Sequence, residues 1–352
     1  MKKLNITKVL FTGIASVLCI YSCKKNQPPQ QQQQQFNVVQ TNLVADTAGY
    51  NAAKIDTNIP NAWGLAANPN GIIWVVSNHK GLSTIYDQTG QALREPVQIP
   101  SVDPLQPGAP TGIVFNGGTS FGGNKFIFAG EDGIITAWKM NDNAAEVADH
   151  SELGAVYKGL AMATDGNADF LYAANFKGKK IDVLNGEFQY ITTKPFTDPN
   201  MPDGFGPFNI QNIGGMLYVT YAKLKGPDNE DDDAAPGNGY VDIFKPDGTL
   251  VKRFASQGPL NSPWGITHAP AGFAGDAETI LVGNFGDGRI NVFDLSGNYK
   301  GQLASNGKAL GIEGLWALDF LKANATAADP LYFTAGPAGE KHGIFGSLKT
   351  SK

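Results

Sequence analysis

One short pattern recurs six times along this chain and constrains its fold more than any other feature. "AWGLAAN" begins at Ala62, "PTGIVFN" at Pro110, "YKGLAMA" at Tyr157, "PFNIQNI" at Pro207, "PWGITHA" at Pro263 and "LWALDFL" at Leu315. The equivalent positions are Gly64, Gly112, Gly159, Asn209, Gly265 and Ala317, with gaps of 48, 47, 50, 56 and 52 residues. After each comes a pair of apolar runs around a tight polar turn, as in "LVGNFGDGRINVFDLSG" from Leu281. A hairpin of this kind cannot bury its own apolar face, so it must stack against its copies. A unit near 50 residues has room for four strands, and that period belongs to β-propeller blades. Composition agrees: Gly is 43 of 352 residues, well above the roughly 7% of average proteins, and only 17% are charged.

The expected fold is therefore all-β: a single six-bladed β-propeller of four-stranded blades over residues 36–348. In each blade, strand A is the "WGLA" type and strand B resembles "LYAAN" at Leu171. Strand C resembles "KIDVL" at Lys180, and strand D is a variable outer run such as "LVKRFAS" at Leu250. The small residue in strand A is expected where the blades crowd round the axis. The sixth copy shows a strand B at Leu331 and a strand C at His342, then the sequence ends. Its fourth strand is expected from "FNVVQTNLV", Phe36 to Val44, which would close the ring and remove free edges.

Residues 1–22 read as a lipoprotein signal peptide. Lys2, Lys3 and Lys8 precede a mostly apolar run from Val9 to Ile20, too short to span a bilayer. The run ends in "IYSC", which resembles a bacterial lipobox and implies cleavage before a lipidated Cys23. The other cysteine, Cys19, lies inside the apolar run, so Cys23 has no partner for a disulfide after cleavage. Residues 23–35, rich in Pro and Gln, read as a tether. These features predict an exported protein of the bacterial cell envelope, an outer-membrane lipoprotein that meets the membrane through its lipid anchor. Without residues 1–22 the chain carries 24 basic and 32 acidic residues, which argues against a nucleic-acid partner.

The segment "PWGITHAPAGFAGDAETILVGNFGDGRINVFDLSGN" resembles a blade of NHL-repeat proteins. Over nearly its whole length the chain also resembles an uncharacterised family of secreted bacterial propellers with the same W-G openings and the "GNGYVDIF" strand. The resemblance implies the fold and no particular activity, because propellers host many.

In an antiparallel blade the D-to-A loops and the B-to-C turns lie on one face. The D-to-A side offers Asn61, Asp203, Asn209, Asn261 and Glu313 as ligand-binding candidates at the axial mouth. The B-to-C turns add His79 and Glu131, and the recurrent Asn78, Asn175 and Asn284, which are read as turn formers. An insertion, "DNEDDDAAPGNG" from Asp228, places Asp231 and Asp232 on the same face. Such oxygen donors suit a hard cation, and Glu313, Asp203, Asp231 and Asp232 are the candidate ligands of a Ca²⁺ ion. "IEGLWALDF", from Ile312, resembles the E-G-P-x-W opening of calcium-dependent six-bladed lactonases, which implies a metal-ligand role for Glu313. Where those enzymes place Asn or Asp before the strand-A glycine, this chain has Trp63, Thr111, Lys158, Phe208 and Trp264. Trp63, Trp264 and Trp316 are read as core packed between blades. "GTSFG", from Gly118, satisfies G-x-S-x-G without the strand–turn–helix context of a nucleophile elbow. Two functions remain open: an envelope-anchored binding module with a protein or carbohydrate ligand at the axial mouth, and a Ca²⁺-dependent lactonase-like hydrolase.

Overall fold

Short β-branched and aromatic runs, each cut off by a Gly-, Asn- or Asp-rich turn, become strands throughout this chain. The computed structural model describes Met1, residues 34–140 and residues 143–351. The signal peptide beyond Met1, Cys23 and the tether up to residue 33 lie outside the described residues.

The chain enters through β1 (Gln34–Ala45) and the short β2 (Lys54–Ile55). The first sheet contains β3 (Ala62–Ala67), β4 (Ile73–Ser77), β5 (Leu82–Tyr86) and β6 (Val97–Gln98). The second contains β7 (Pro110–Phe115), β8 (Phe126–Gly130), β9 (Ile134–Trp138) and β10 (Ala145–Asp149). The third contains β11 (Tyr157–Asp165), β12 (Ala168–Asn175), β13 (Lys180–Leu184) and β14 (Tyr190–Ile191). The fourth contains β15 (Phe205–Ile213), β16 (Met216–Lys223), β17 (Gly239–Phe244) and β18 (Leu250–Ser256). In the fifth unit, β19 (Pro263–Ala269), β20 (Thr279–Asn284), β21 (Ile290–Asp294) and β22 (Tyr299–Ser305) pair in order, and β23 (Lys308–Ala309) folds back on β22. The last unit is β24 (Leu315–Asp319), β25 (Leu331–Ala335) and β26 (Ile344–Thr350).

Every unit is an antiparallel meander. Residues 38–45 of β1 run antiparallel to β26, with Val38 opposite Thr350 and Ala45 opposite Ile344. Residues 34–37 of the same strand run parallel to β22, from Gln34 opposite Gly301 to Asn37 opposite Ala304. β1 thus joins the fifth and sixth units into one ten-stranded sheet. The parallel pairing with β22 has no counterpart in the sequence reading.

The second strands β4, β8 and β25 are buried at every position, because each sheet is covered on both faces by its neighbours. Outer β10 is exposed or half-buried throughout. The first strands lie side by side: β3 against β7, then β11, β15, β19 and β24, and β24 against β3 again. Their small residues permit this approach. A Cβ on Gly64 would collide with the carbonyl oxygen of Thr111, one on Gly112 with the amide nitrogen of Leu160, and one on Gly265 with the carbonyl of Trp316. Each clash is with backbone of the next first strand, which no side-chain rearrangement relieves.

Candidate functional site

The axial end where the first strands begin is closed by aromatic rings. Trp63 stacks on Trp316 at 3.6 Å between ring centres, and Trp316 stacks on Phe285 at 4.0 Å. Trp264 meets both tryptophans edge-on, at 6.4 and 5.9 Å. Trp63, Trp264 and Trp316 are all buried. Their polar edges are used to tie sheets together: Trp264 Nε1 donates to the carbonyl of Lys158, and Trp316 Nε1 donates to Asn61 Oδ1, each at 2.8 Å. Trp63 Nε1 is buried without a partner.

Above this plug lies a polar network. Lys158, on β11 just before Gly159, is buried, and its ammonium sits 5.4 Å from the Trp63 ring centre. It is bonded to Glu131 Oε1 and lies 3.9 Å from Asp231 Oδ1. Asn78 Nδ2 donates to the other oxygen of Glu131 at 2.7 Å. Asn61 Nδ2 donates to Glu340 Oε2 at 2.8 Å and lies 3.5 Å from His79 Nε2. The turns of the first, second, fourth and last units thus converge on a lysine from the third. Asn61 and Glu340 both have left-handed backbones, with φ of 48° and 65°, which L-residues other than glycine seldom adopt. This conformation carries both side chains into the network.

Charges in the network are mutually adjusted. Burial disfavours the Lys158 ammonium, but Glu131, Asp231 and Glu340 outweigh it and hold its pKa above the ordinary value. Burial and the like charge of Glu131 push the Glu340 carboxyl up to about 7, against the pull of Lys158 and the Asn61 amide. Burial also raises Asp232, opposed by the Ser262 hydroxyl and Lys158.

Of the residues singled out from sequence, Asn61 lies at the heart of this network. Asn209 is buried lower down the axis, where its amide donates to the Trp264 carbonyl at 2.9 Å. Asn261 is buried with its Oδ1 unpartnered. Asp231 reaches Lys158, while Asp232 turns inward in a bridge to Leu224. The acidic insertion is held down at Lys177 through Glu230 (2.7 Å) and at Lys223 through Asp233 (2.8 Å). Asp203 and Glu313 are exposed, and Glu313 accepts from the amide of Ala338 at 3.0 Å. The structure does not gather Glu313, Asp203, Asp231 and Asp232 into one site. Among the described residues no group of three His, Cys, Asp or Glu side chains is placed to hold a metal ion. The carboxylates that do converge already surround an ammonium, so these residues do not fit a Ca²⁺ centre. Asn175 acts within its own unit, accepting from Gly178 in its turn and from Val156 ahead of β11, and donating to Asp182 on β13. Asn78 does not, since it reaches across to Glu131. Ser120, the central residue of "GTSFG", donates to Asp169 at 2.8 Å beside a 3₁₀ turn, with no histidine bonded to it.

No protein-family model matches the chain. Among known proteins it is similar to "Uncharacterized protein L690" of Acanthamoeba polyphaga mimivirus, 34% identical over 315 residues, which cover 84% of this chain and 82% of the relative. "Uncharacterized protein R648" of the same virus is 32% identical over 315 residues, 84% of this chain and 76% of the relative. Among solved structures it is similar to an auxiliary nutrient binding protein from Bacteroides ovatus, with a TM-score of 0.58, 11% identity, and coverage of 90% of this chain and 78% of that one. It is also similar to the calcium-binding protein regucalcin from Agrobacterium tumefaciens, with a TM-score of 0.56, 14% identity, and coverage of 90% and 95%. Virginiamycin B lyase from Staphylococcus aureus gives 0.51, 12%, and coverage of 90% and 100%. Identities this low carry the fold alone, which is that of a β-propeller.

Proposed function

Because the chain belongs to the family of the mimivirus proteins L690 and R648 and has a β-propeller fold, we propose that it is a six-bladed propeller, closed by β1, that binds a ligand at its axial mouth. One observation carries the reading: the convergent carboxylates Glu131, Asp231 and Glu340 are already met by the buried ammonium of Lys158. A catalytic metal would need that position to polarise a carbonyl. A protein ammonium fixed by ion pairs and backed by Trp63 cannot accept a substrate oxygen in the same way. What the mouth offers instead is a set of hydrogen-bonding groups around its rim: the exposed His79 and Asp231 and the half-buried Glu340. Such groups suit a ligand rich in hydroxyls, and a carbohydrate is the chemical class that fits. That the B. ovatus neighbour is described as a nutrient-binding protein is consistent with a binding role on this fold.

We further propose that the domain is held at a bacterial envelope by lipid on Cys23. Cys23→Ala should then move the protein from the membrane fraction to the soluble one. For the ligand, an oligosaccharide array probed with the wild type should show binding that His79→Ala combined with Glu340→Gln reduces while the circular-dichroism spectrum stays that of the wild type. An array that binds nothing removes the carbohydrate reading. The competing reading, a Ca²⁺-dependent lactonase-like hydrolase, has the exposed Glu313 beside the last unit as its starting point. Lactone hydrolysis that Ca²⁺ restores after chelation would establish it and overturn the binding module.

A further inference from the structure

The opposite end of the axis is open. There the six first strands splay into a cavity of about 760 Å³. Each contributes to its wall, among others Leu65, Ile113, Leu160, Gln211, Thr267 and Asp319. Further out, Phe115 and Met162 extend the apolar side. Towards the aromatic plug the cavity narrows to about 20 Å³ at Gly64, Gly112 and Gly265, space for a water molecule at most. The two mouths therefore do not communicate, and this one stands independently of the function proposed above.

Asp319 is the distinctive group. Its carboxylate accepts from the backbone amide of Leu321 at 3.2 Å and is also approached by the amide of Phe320 and the Thr267 hydroxyl. Among the described residues no cation pairs with it. The charged groups nearby are committed elsewhere: His268 faces Glu278 at 3.4 Å, and Lys322 is bonded to Asp329. Burial pushes the Asp319 carboxyl up, as expected for an acid that lacks a counter-charge. A cavity of ligand size whose mixed wall sets an apolar side against one oriented carboxylate without a counter-charge has the make-up of a binding site.

We propose that this cavity is a second ligand site that takes a small amphipathic ammonium, its cation on Asp319 and its apolar body against Leu65, Ile113, Phe115 and Met162. The pairing is chemically specific. An ammonium supplies the counter-charge that the carboxylate lacks together with charge-assisted donors, whereas a neutral alcohol of equal size supplies one weaker donor and no charge.

Calorimetric titration of the whole protein with 2-phenylethylammonium and with neutral 2-phenylethanol tests the assignment. The ammonium should bind at least about tenfold tighter, the scale of one charge-assisted hydrogen bond. Asp319→Asn should erase that preference, and Ala67→Trp, which projects an indole from the wall into the cavity, should weaken binding of both probes at least about tenfold. Glu340→Gln, at the other mouth, should change neither. Equal binding of the two probes, no binding of either, or a preference that survives Asp319→Asn overturns the proposal. Should Asp319→Asn fail to fold, the comparison of the two probes on the wild type and on Ala67→Trp decides.

Discussion

Glu340 reaches the axis only because its backbone accepts a left-handed conformation, and its burial has a consequence for pH dependence. Its carboxyl is raised from an ordinary 4.5 to about 7, so between those values the folded protein holds a proton that the unfolded chain has lost. Its contribution is fully present below pH 4.5 and is lost as pH rises to 7, a decline of up to about 3 kcal/mol. Asp242, also raised to about 7, titrates in the same window and supplies a background common to both proteins. Urea denaturation at pH 5 and pH 8 should therefore show a smaller loss of stability for Glu340→Gln than for the wild type, and equal losses would refute the assignment. Lys158 is predicted to hold the network together. Lys158→Met leaves Glu131 charged and half-buried without its partner and should cost roughly 3–5 kcal/mol, much of it recovered by adding Glu131→Gln. A double variant as unstable as the single one would mean that the pair is not what holds this network. Neither residue's role was legible in the sequence. Lys158 stood out only as a departure from the lactonase pattern, and Glu340 sits in the β25–β26 turn, which is longer than the equivalent turns holding Asn78 and Glu131 and does not repeat their sequence. Asn61 was legible because it precedes a recurring strand.

At the scale of elements the repeat carried most of the information. The A, B and C strands follow from alternating apolar runs and turn residues, and the equivalent small residues mark where first strands touch. Gly112→Ala would drive a Cβ into the backbone of Leu160 and should lower the melting temperature by several degrees. Gly311→Ala, whose added atom meets nothing nearer than 4.0 Å, should leave it nearly unchanged. Similar shifts for the two would show that the first strands are not tightly apposed. β1 is the element on which the last unit depends. It buries Phe36, Val38, Val44 and Ala45 and supplies the ladder opposite β26. A chain beginning at Asp46 should be less stable than one beginning at Gln34 by roughly 5 kcal/mol or more, at about 1.5–3 kcal/mol for each large side chain uncovered. Coincident denaturation curves would dispose of the proposed closure. The parallel contact of β1 with β22 was not legible, because period-two patterning specifies which face is buried and not which neighbour lies at the edge.

For the whole molecule, the axis is two separate features, a polar mouth over an aromatic plug and a cavity of mixed polar and apolar lining behind it. A repeat places its own equivalent residues on a shared face but says little about how side chains of different size fill the centre, so the division could not be read in advance. It bears on calcium. An ion bound only to the native state would stabilise it by roughly 2.7 kcal/mol at a hundredfold excess over its dissociation constant. With Lys158 in the convergent position, thermal melts in Ca²⁺ and in chelator should coincide, and Glu313→Gln should not separate them; a calcium-dependent rise would reopen the metal reading. The double pairing of β1 has a mechanical side. A molecule held by its N-terminus, as we propose, would transmit any pull straight into this strand. Force along β1 loads the ladders to β22 and β26 lengthwise, so their hydrogen bonds resist together instead of parting one at a time. The seam that we propose completes the ring would then also be its strain-bearing clasp, and drag on a captured ligand would be carried by the join between the first strand and the last.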